Sequence, residues 1–474
     1  MPPILSQIKH IVVVMLENRS LDNMCGWLYS DANRPGQFLP AGSPQIFDGL
    51  EQGMVNPSNR DYFAGRPSVP VPVGYGVTSS VVPIPDPQET FVNVTEQLYG
   101  PGGATATPAY PMQGFVVNYE NARGVTNAGQ IMEAHLPSQL PVLSQMALSY
   151  AISDAWFASV PSQTWPNRSF VHAGTSNGHV DNGDPPDPLQ WNIPTIFNVL
   201  VRQNISWSVY SDTVVTPSLT RTMFPSLWDV SLSANFHGFQ QFEDACAGNT
   251  LPAYSFLEPS FLVEPNDAHP PHDVEAAEQL LFRIWTAVST SPGWPETLLV
   301  ITFDEHGGCH DHVLPPMGAI PPDASSTPGD QGFGFDRFGV RVPAILVSPY
   351  IQAGTVFRSN TSVPYDHTSI LATLRDWLAI PAGEMLSSRR IAAAPTLAQV
   401  LTLPIARTDI PDIAPLNAAT TLVSAAEMPN DLQKSLVSGT ARRLNNDSSA
   451  TLATVQSRQQ AIDYFKRHPT LAQQ

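Results

Sequence analysis

The chain has only three cysteines in 474 residues: Cys25, Cys246 and Cys309. An odd, sparse set excludes a disulfide framework, so an apolar core has to carry the fold. No apolar run approaches the roughly 18 to 20 residues that span a bilayer. Basic residues are scarce as well. The 23 Lys and Arg stand against 41 Asp and Glu, for a net charge of −18. That balance disfavours a nucleic-acid or anionic-membrane partner, which calls for basic clusters. It leaves a phosphate substrate open, because a bound cation supplies positive charge locally. The N-terminus lacks the basic start, apolar stretch and small-residue cleavage site of a secretory signal. The apolar run Ile11 to Leu16 is short and leads straight into Glu17-Asn18. For the chain as written, the expected location is the cytoplasm.

What is present reads as an α/β protein. Residues 8–16 form a β-branched run suited to a strand buried on both faces. Thr297 to Phe303 is a second such strand, ending at Asp304-Glu305, and Val342 to Val347 a third. Trp207 to Tyr210 suggests another. Helical spacing appears at Leu143 to Ala151, at Val274 to Val288 and at Asp366 to Leu378, and Pro166 fits the first turn of a helix through Phe170. For Val274 to Val288 the expected inner face is Ala276, Leu280, Ile284 and Ala287. Strands alternating with helices predict a three-layer α/β/α sandwich around a mostly parallel sheet. Residues 31–115 break the pattern with Pro, Gly, Ser and Asn. They read as an excursion from the core, part of a lid. The expected organisation is one catalytic unit over 1–430, excursion included, followed by a polar tail over 431–474 with a helix or two packed outside.

Ligands of open α/β sheets bind beyond the carboxyl ends of the strands. Two apolar strands here end in oxygen-bearing pairs, Glu17-Asn18 and Asp304-Glu305. If the strands are neighbours, four side chains suited to a hard divalent cation meet at one edge. Each pair alone reads more readily as a cap or surface group flanking its strand, and the two pairs together shift the balance towards a cation. Thr164 stands at a helix start, where free N–H groups favour phosphate and a hydroxyl can serve as nucleophile. On spacing alone it is an ordinary N-cap. Five histidines fall within 269–312: His269, His272, His306, His310 and His312. Any of them could protonate a leaving alkoxide or be structural. Gly307-Gly308 allow either a close backbone approach to a ligand or a tight turn.

Taken in order, several stretches resemble a bacterial phosphoesterase family of the alkaline-phosphatase-like superfamily. That family includes phosphatidylcholine-type phospholipases C and acid phosphatases. The stretches are Ile8 to Ser20, Thr164-Trp165-Pro166-Asn167-Arg168 and Asn266-Asp267-Ala268-His269-Pro270-Pro271. They continue with Thr302 to Gly308, Asp311-His312-Val313, Gly339 to Pro349 and Asp366-His367-Thr368-Ser369. The resemblance implies that Glu17, Asn18, Thr164, Asp304 and Glu305 bind a divalent metal ion, with Mg, Ca, Mn and Zn all open. It implies that Thr164 is the nucleophile of a phospho-threonine intermediate and that His269 is the leading general acid. His306 and His312 are further catalytic candidates. Asn167 and Arg168 orient the nucleophile loop or touch phosphate. The expected function is metal-dependent hydrolysis of a small-molecule or lipid phosphoester, of phospholipase C or phosphatase type. The rival reading is a non-catalytic metal-binding or structural protein on the same scaffold. Cys309-His310 departs from the aromatic residues that relatives carry there. Exported relatives begin with a signal peptide, so export by another route stays open.

Overall fold

In the computed structural model, residues 5–468 are described, except 106, 123, 214, 417–419, 422 and 423. Nine strands form the central sheet. In chain order they are β1 (His10–Leu16), β2 (Gln37–Leu39), β3 (Ala151–Ser153), β4 (Trp207–Ser211), β5 (Phe236–Gly238), β6 (Tyr254–Glu258), β7 (Thr297–Phe303), β8 (Ala344–Val347) and β9 (Thr355–Phe357). Across the sheet the order is β2-β9-β3-β8-β7-β1-β6-β4-β5. Only β8 runs against its neighbours, pairing antiparallel with both β7 and β3. The other pairings are parallel. Helices cover the sheet, as the α/β/α expectation requires.

The two longest strands are the two that read most plainly in the sequence. Every residue of β7 is buried, as is every residue of β1 after His10. An unbroken apolar run is what a parallel strand covered on both faces demands. They are neighbours in register, with Leu16 opposite Phe303. Glu17 and Asp304 therefore leave the sheet side by side at its carboxyl edge. The third expected strand exists, but its reversed direction points Ser348 at the opposite edge.

The helices were harder to bound. Pro141–Ser149 starts at its proline and stops before Ala151, which belongs to β3. The helix Val274–Ser289 is present, but its buried residues include Val274, Ala277, Leu281, Trp285 and Val288 besides Leu280 and Ile284. Ala276 and Ala287, expected inside, are only half-buried. The excursion is more closely built into the core than its composition suggests. Its Gln37–Leu39 segment is the edge strand β2 on β9, and a helix at Phe91–Tyr99 packs its inner face through Val94 and Leu98. Among its described residues the tail holds three helices, Asp431–Arg443, Ser448–Ala453 and Arg458–Lys466. The first is not a surface helix: Leu432 through Ala441, except Lys434, are buried. Among the described residues, no helix is long and apolar enough to cross a membrane.

Candidate active site

Asn18 follows β1 with a left-handed φ of 55°. That turn brings its backbone N–H to Asp304 Oδ1 at 3.0 Å, where the Glu305 N–H also donates at 2.8 Å. Gly307 turns the chain back beside Asn18 with φ 58°, and a Cβ there would overlap the Asn18 carbonyl oxygen. The glycine is thus required by two backbones passing close together. Glu305 Oε2 accepts the Gly307 N–H at 2.7 Å.

Thr164 is the first residue of the helix Thr164–Ala173, whose N-cap is Gln163. Its hydroxyl does not cap the helix. It donates to Glu17 Oε2 at 3.2 Å, across 147 residues of sequence. The other Glu17 oxygen accepts from Arg168 Nε at 2.7 Å and from the Arg168 terminal nitrogen, in a pair buried completely. Arg168 also donates to the Met15 carbonyl at 3.1 Å. One turn of helix thus presents both the hydroxyl and the guanidinium to the same carboxylate. Asn167 faces the other way. Its amide donates to the carbonyls of Val160, Ser162 and Gln163 and accepts from the Val160 N–H, so it staples the loop that carries Thr164.

Removing one member of the buried Glu17–Arg168 pair leaves the other charge uncompensated. Arg168→Met should lower the unfolding free energy by about 3–5 kcal/mol. Denaturant unfolding in the presence of a chelator checks this, and a loss comparable to that of a surface substitution would refute it.

Several buried polar atoms at the strand ends have no partner: Asn18 Oδ1 and Nδ2, Asp304 Oδ2, Glu305 Oε1 and an Arg168 nitrogen. Such atoms are costly unless something satisfies them. Burial pushes Glu17 and Glu305 well above the ordinary carboxylate range; Asp304 pushes both the same way, while Arg168 opposes this at Glu17. Oxygen-rich, short of positive charge and carrying unpartnered lone pairs, the donor set fits a hard divalent cation. Glu17, Asp304 and Glu305 are spread wider than the two tightest groupings among the described residues. Those groupings, with ligand atoms within 4.8 Å of one another, are Asp22–Asp311–His312 and Asp86–His269–Asp431.

The histidines divide. His269 is fully buried, with Nδ1 2.7 Å from its neighbour's carbonyl, Pro270 O, and 3.7 Å from Asp86 Oδ1. Its Nε2 makes no hydrogen bond and lies 3.8 Å from Asp431 Oδ1. Burial disfavours its charge, but Asp86, Asp431 and Asp267 outweigh burial and hold the imidazolium well above the usual histidine range. His306 sits between Glu305 Oε2 at 3.2 Å and Gln97 Oε1 at 2.8 Å, and burial pushes it down to about 3. It is a neutral ring that orients a strand-end carboxylate, unsuited to giving a proton near neutral pH. His312 is placed elsewhere. It joins Asp22 at 2.7 Å and Asp48 at 3.2 Å, beside the Arg341–Asp311 pair. Burial works against its charge, yet those carboxylates keep it protonated to about 10. Every carboxylate oxygen of Asp22 and Asp311 is spoken for by Arg341, His312 or a backbone N–H. That cluster is a structural lock. His310 is buried against Phe115, and Cys309 is a buried free thiol.

Sequence reasoning missed Asp86, Glu89, Asp267 and Asp431. Asp267 fixes His272 at 2.6 Å and the His269 N–H at 3.1 Å. It lay inside a recognised stretch, so the signal was there. The others sit in the irregular excursion and the tail, where nothing in the local sequence distinguishes them.

A model of the Phosphoesterase family matches residues 8–381. The chain belongs to this family. As a member it is a phosphoester hydrolase, and the matched span contains both strand-end pairs, Thr164 and His269. The chain is 33% identical over 428 residues to non-specific phospholipase C6 of Arabidopsis thaliana, covering 87% of this chain and 76% of that protein. It is 27% identical over 446 residues to phospholipase C B of Mycobacterium tuberculosis, covering 83% and 80%. Among solved structures it is similar to a protein of the alkaline phosphatase superfamily from Vibrio parahaemolyticus. That match is 11% identical with a TM-score of 0.30, over 56% of this chain and 66% of that one. A score this low adds nothing to the sheet order described above.

Proposed function

We propose that this phosphoesterase cleaves phosphodiesters of the phospholipase C type, with Thr164 as nucleophile and His269 as general acid. The observation that carries the reading is the Thr164 hydroxyl, which starts a helix and donates to the buried Glu17 carboxylate beside the unpartnered oxygens of Asn18, Asp304 and Glu305. The relatives' names supply the diester class.

Asn18, Asp304 and Glu305, with Glu17 and Thr164, are the residues that would hold a divalent cation. When bound, the ion supplies positive charge to the nucleophile and to the phosphoryl oxygens. In the first step Thr164 Oγ1 forms a bond to phosphorus while its proton passes to Glu17 Oε2. The bond from phosphorus to the leaving alcohol breaks, and His269 Nε2 gives that alcohol its proton. In the second step water forms a bond to phosphorus and gives a proton to His269, the bond from phosphorus to Thr164 Oγ1 breaks, and Oγ1 takes its proton back from Glu17 as the phosphate product leaves. Arg168 holds Glu17 in place, and Asn167 holds the loop.

The test is turnover of an aryl phosphate monoester, an aryl phosphocholine and a phosphatidylcholine vesicle, each with and without chelator. Diester turnover should vanish with chelator and return on adding a divalent cation. A preference for the monoester would move the reading to a phosphatase. Diester turnover indifferent to exhaustive chelation would refute the cation's part.

A further inference from the structure

The C-terminal helices reach the site through Asp431, and the contacts of this side chain are more than packing. Asp431 opens the helix Asp431–Arg443 behind the N-cap Asn430. Its Oδ2 accepts from Gln163 Nε2 at 2.8 Å and from Asn182 Nδ2 at 3.2 Å. Gln163 is the residue before Thr164, and its own Oε1 accepts the Asn182 N–H at 3.1 Å. The Asp431 Oδ1 takes the Leu432 N–H at 2.9 Å and lies 3.8 Å from the unpartnered His269 Nε2. On the opposite side of the ring, Asp86 from the excursion lies 3.7 Å from Nδ1.

From this we infer that Asp431 is a positioning residue of the reaction: with Asp86 it brackets the His269 imidazole, and through Gln163 it ties that ring to the loop carrying Thr164. The inference rests on His269 acting as the acid. In-line displacement needs attacking oxygen and proton donor fixed relative to each other on either side of phosphorus. His269 lies on the loop after β6 and Thr164 on a helix from elsewhere in the chain. Asp431 lies beside the ring of the first and bonds Gln163, the residue before the second, and it does so from a third segment. An error of about 1 Å in such a relation costs on the order of 100-fold in rate.

The groups facing His269 are Asp86 from the excursion, Asp431 from the tail, Asp267 and His272 from its own loop, and Glu17 and Glu305 from the strand ends, while Glu89 lies against Asp431 and Asp86. Arg19 balances Asp86 and Asp267 from behind. Removing the Asp431 charge leaves the imidazolium one fewer carboxylate, so it gives up its proton at lower pH.

The experiment measures kcat and KM across pH for Asp431→Asn, Asp431→Glu and His269→Asn. Two diesters serve as substrates, one with an alkyl and one with an aryl leaving group. Asp431→Asn should lose on the order of tenfold in kcat on the alkyl diester and less than about threefold on the aryl one. Its KM should hold, and the alkaline limb should move down by about one pH unit or more. Asp431→Glu should recover most of the alkyl turnover. Asp431→Ser, uncharged but still favourable at a helix start, carries the same test if the amide does not fold. Equal loss on both substrates with an unmoved limb would make Asp431 merely structural and overturn the inference, leaving His269 as the acid. If His269→Asn itself shows no dependence on the leaving group, both the inference and the acid reading fall.

Discussion

Thr164→Ala should fold normally and lose at least about 10,000-fold in kcat, on diester and monoester alike. Thr164 is 2% exposed, and its hydroxyl donates to Glu17. Deleting the hydroxyl leaves Glu17 with both Arg168 contacts and leaves the helix with its Gln163 cap. The stability cost should therefore stay near that of one lost hydrogen bond, about 1 kcal/mol. Thr164→Ser, which restores a hydroxyl at the same atom position, should recover activity to within roughly tenfold. A labelled phosphate should be trapped on the wild-type chain after acid quench and be absent from Thr164→Ala. Near-normal turnover by the alanine variant would remove Thr164 from the chemistry altogether.

His269→Asn should show a different signature. An aryl alcohol leaves without help, and an alkyl alcohol does not. The variant should lose on the order of 100-fold or more on alkyl diesters and less than about tenfold on aryl ones. The pH profile gives a second readout. Asp86, Asp431 and Asp267 raise His269 above its ordinary range, so the proton it donates is present at neutral pH and lost as pH rises through the raised value. Wild-type kcat on an alkyl diester should fall on that alkaline side, and His269→Asn should abolish the fall. An alkaline limb that survives in the variant would assign it to another group.

How much of this was legible follows from where each residue lies. Glu17-Asn18 and Asp304-Glu305 could be read because each closes an apolar run that only a parallel strand buried on both faces would carry. That the runs are neighbours is a matter of topology, which the register of β1 on β7 supplies. Thr164 was readable as a helix start, while its turn towards Glu17 depends on a residue 147 positions away. β6 was not anticipated. Its run Tyr254–Glu258 is short, and two of its residues, Ser255 and Glu258, are polar though buried. His312 misled because it stands close in sequence to Asp304, yet Arg341 draws it into a separate charge cluster. Asp86 and Asp431 were invisible, because a carboxylate in an irregular segment looks the same whether it meets solvent or a buried histidine.

The sheet order also governs when the protein becomes itself during synthesis. Of the strands of the sheet β1 leaves the ribosome first, six of its seven residues are apolar, and its two partners begin at residues 254 and 297. Until residue 254 has been made it has an unpaired edge on each side. Such a segment invites wrong pairings, and contacts this distant make for slow folding. The nucleophile and the strand-end acids can be assembled once residue 305 has emerged. Asp431 arrives more than a hundred residues later. A nascent chain can therefore hold the central strands of its sheet while the last clasp on His269 is still inside the ribosome.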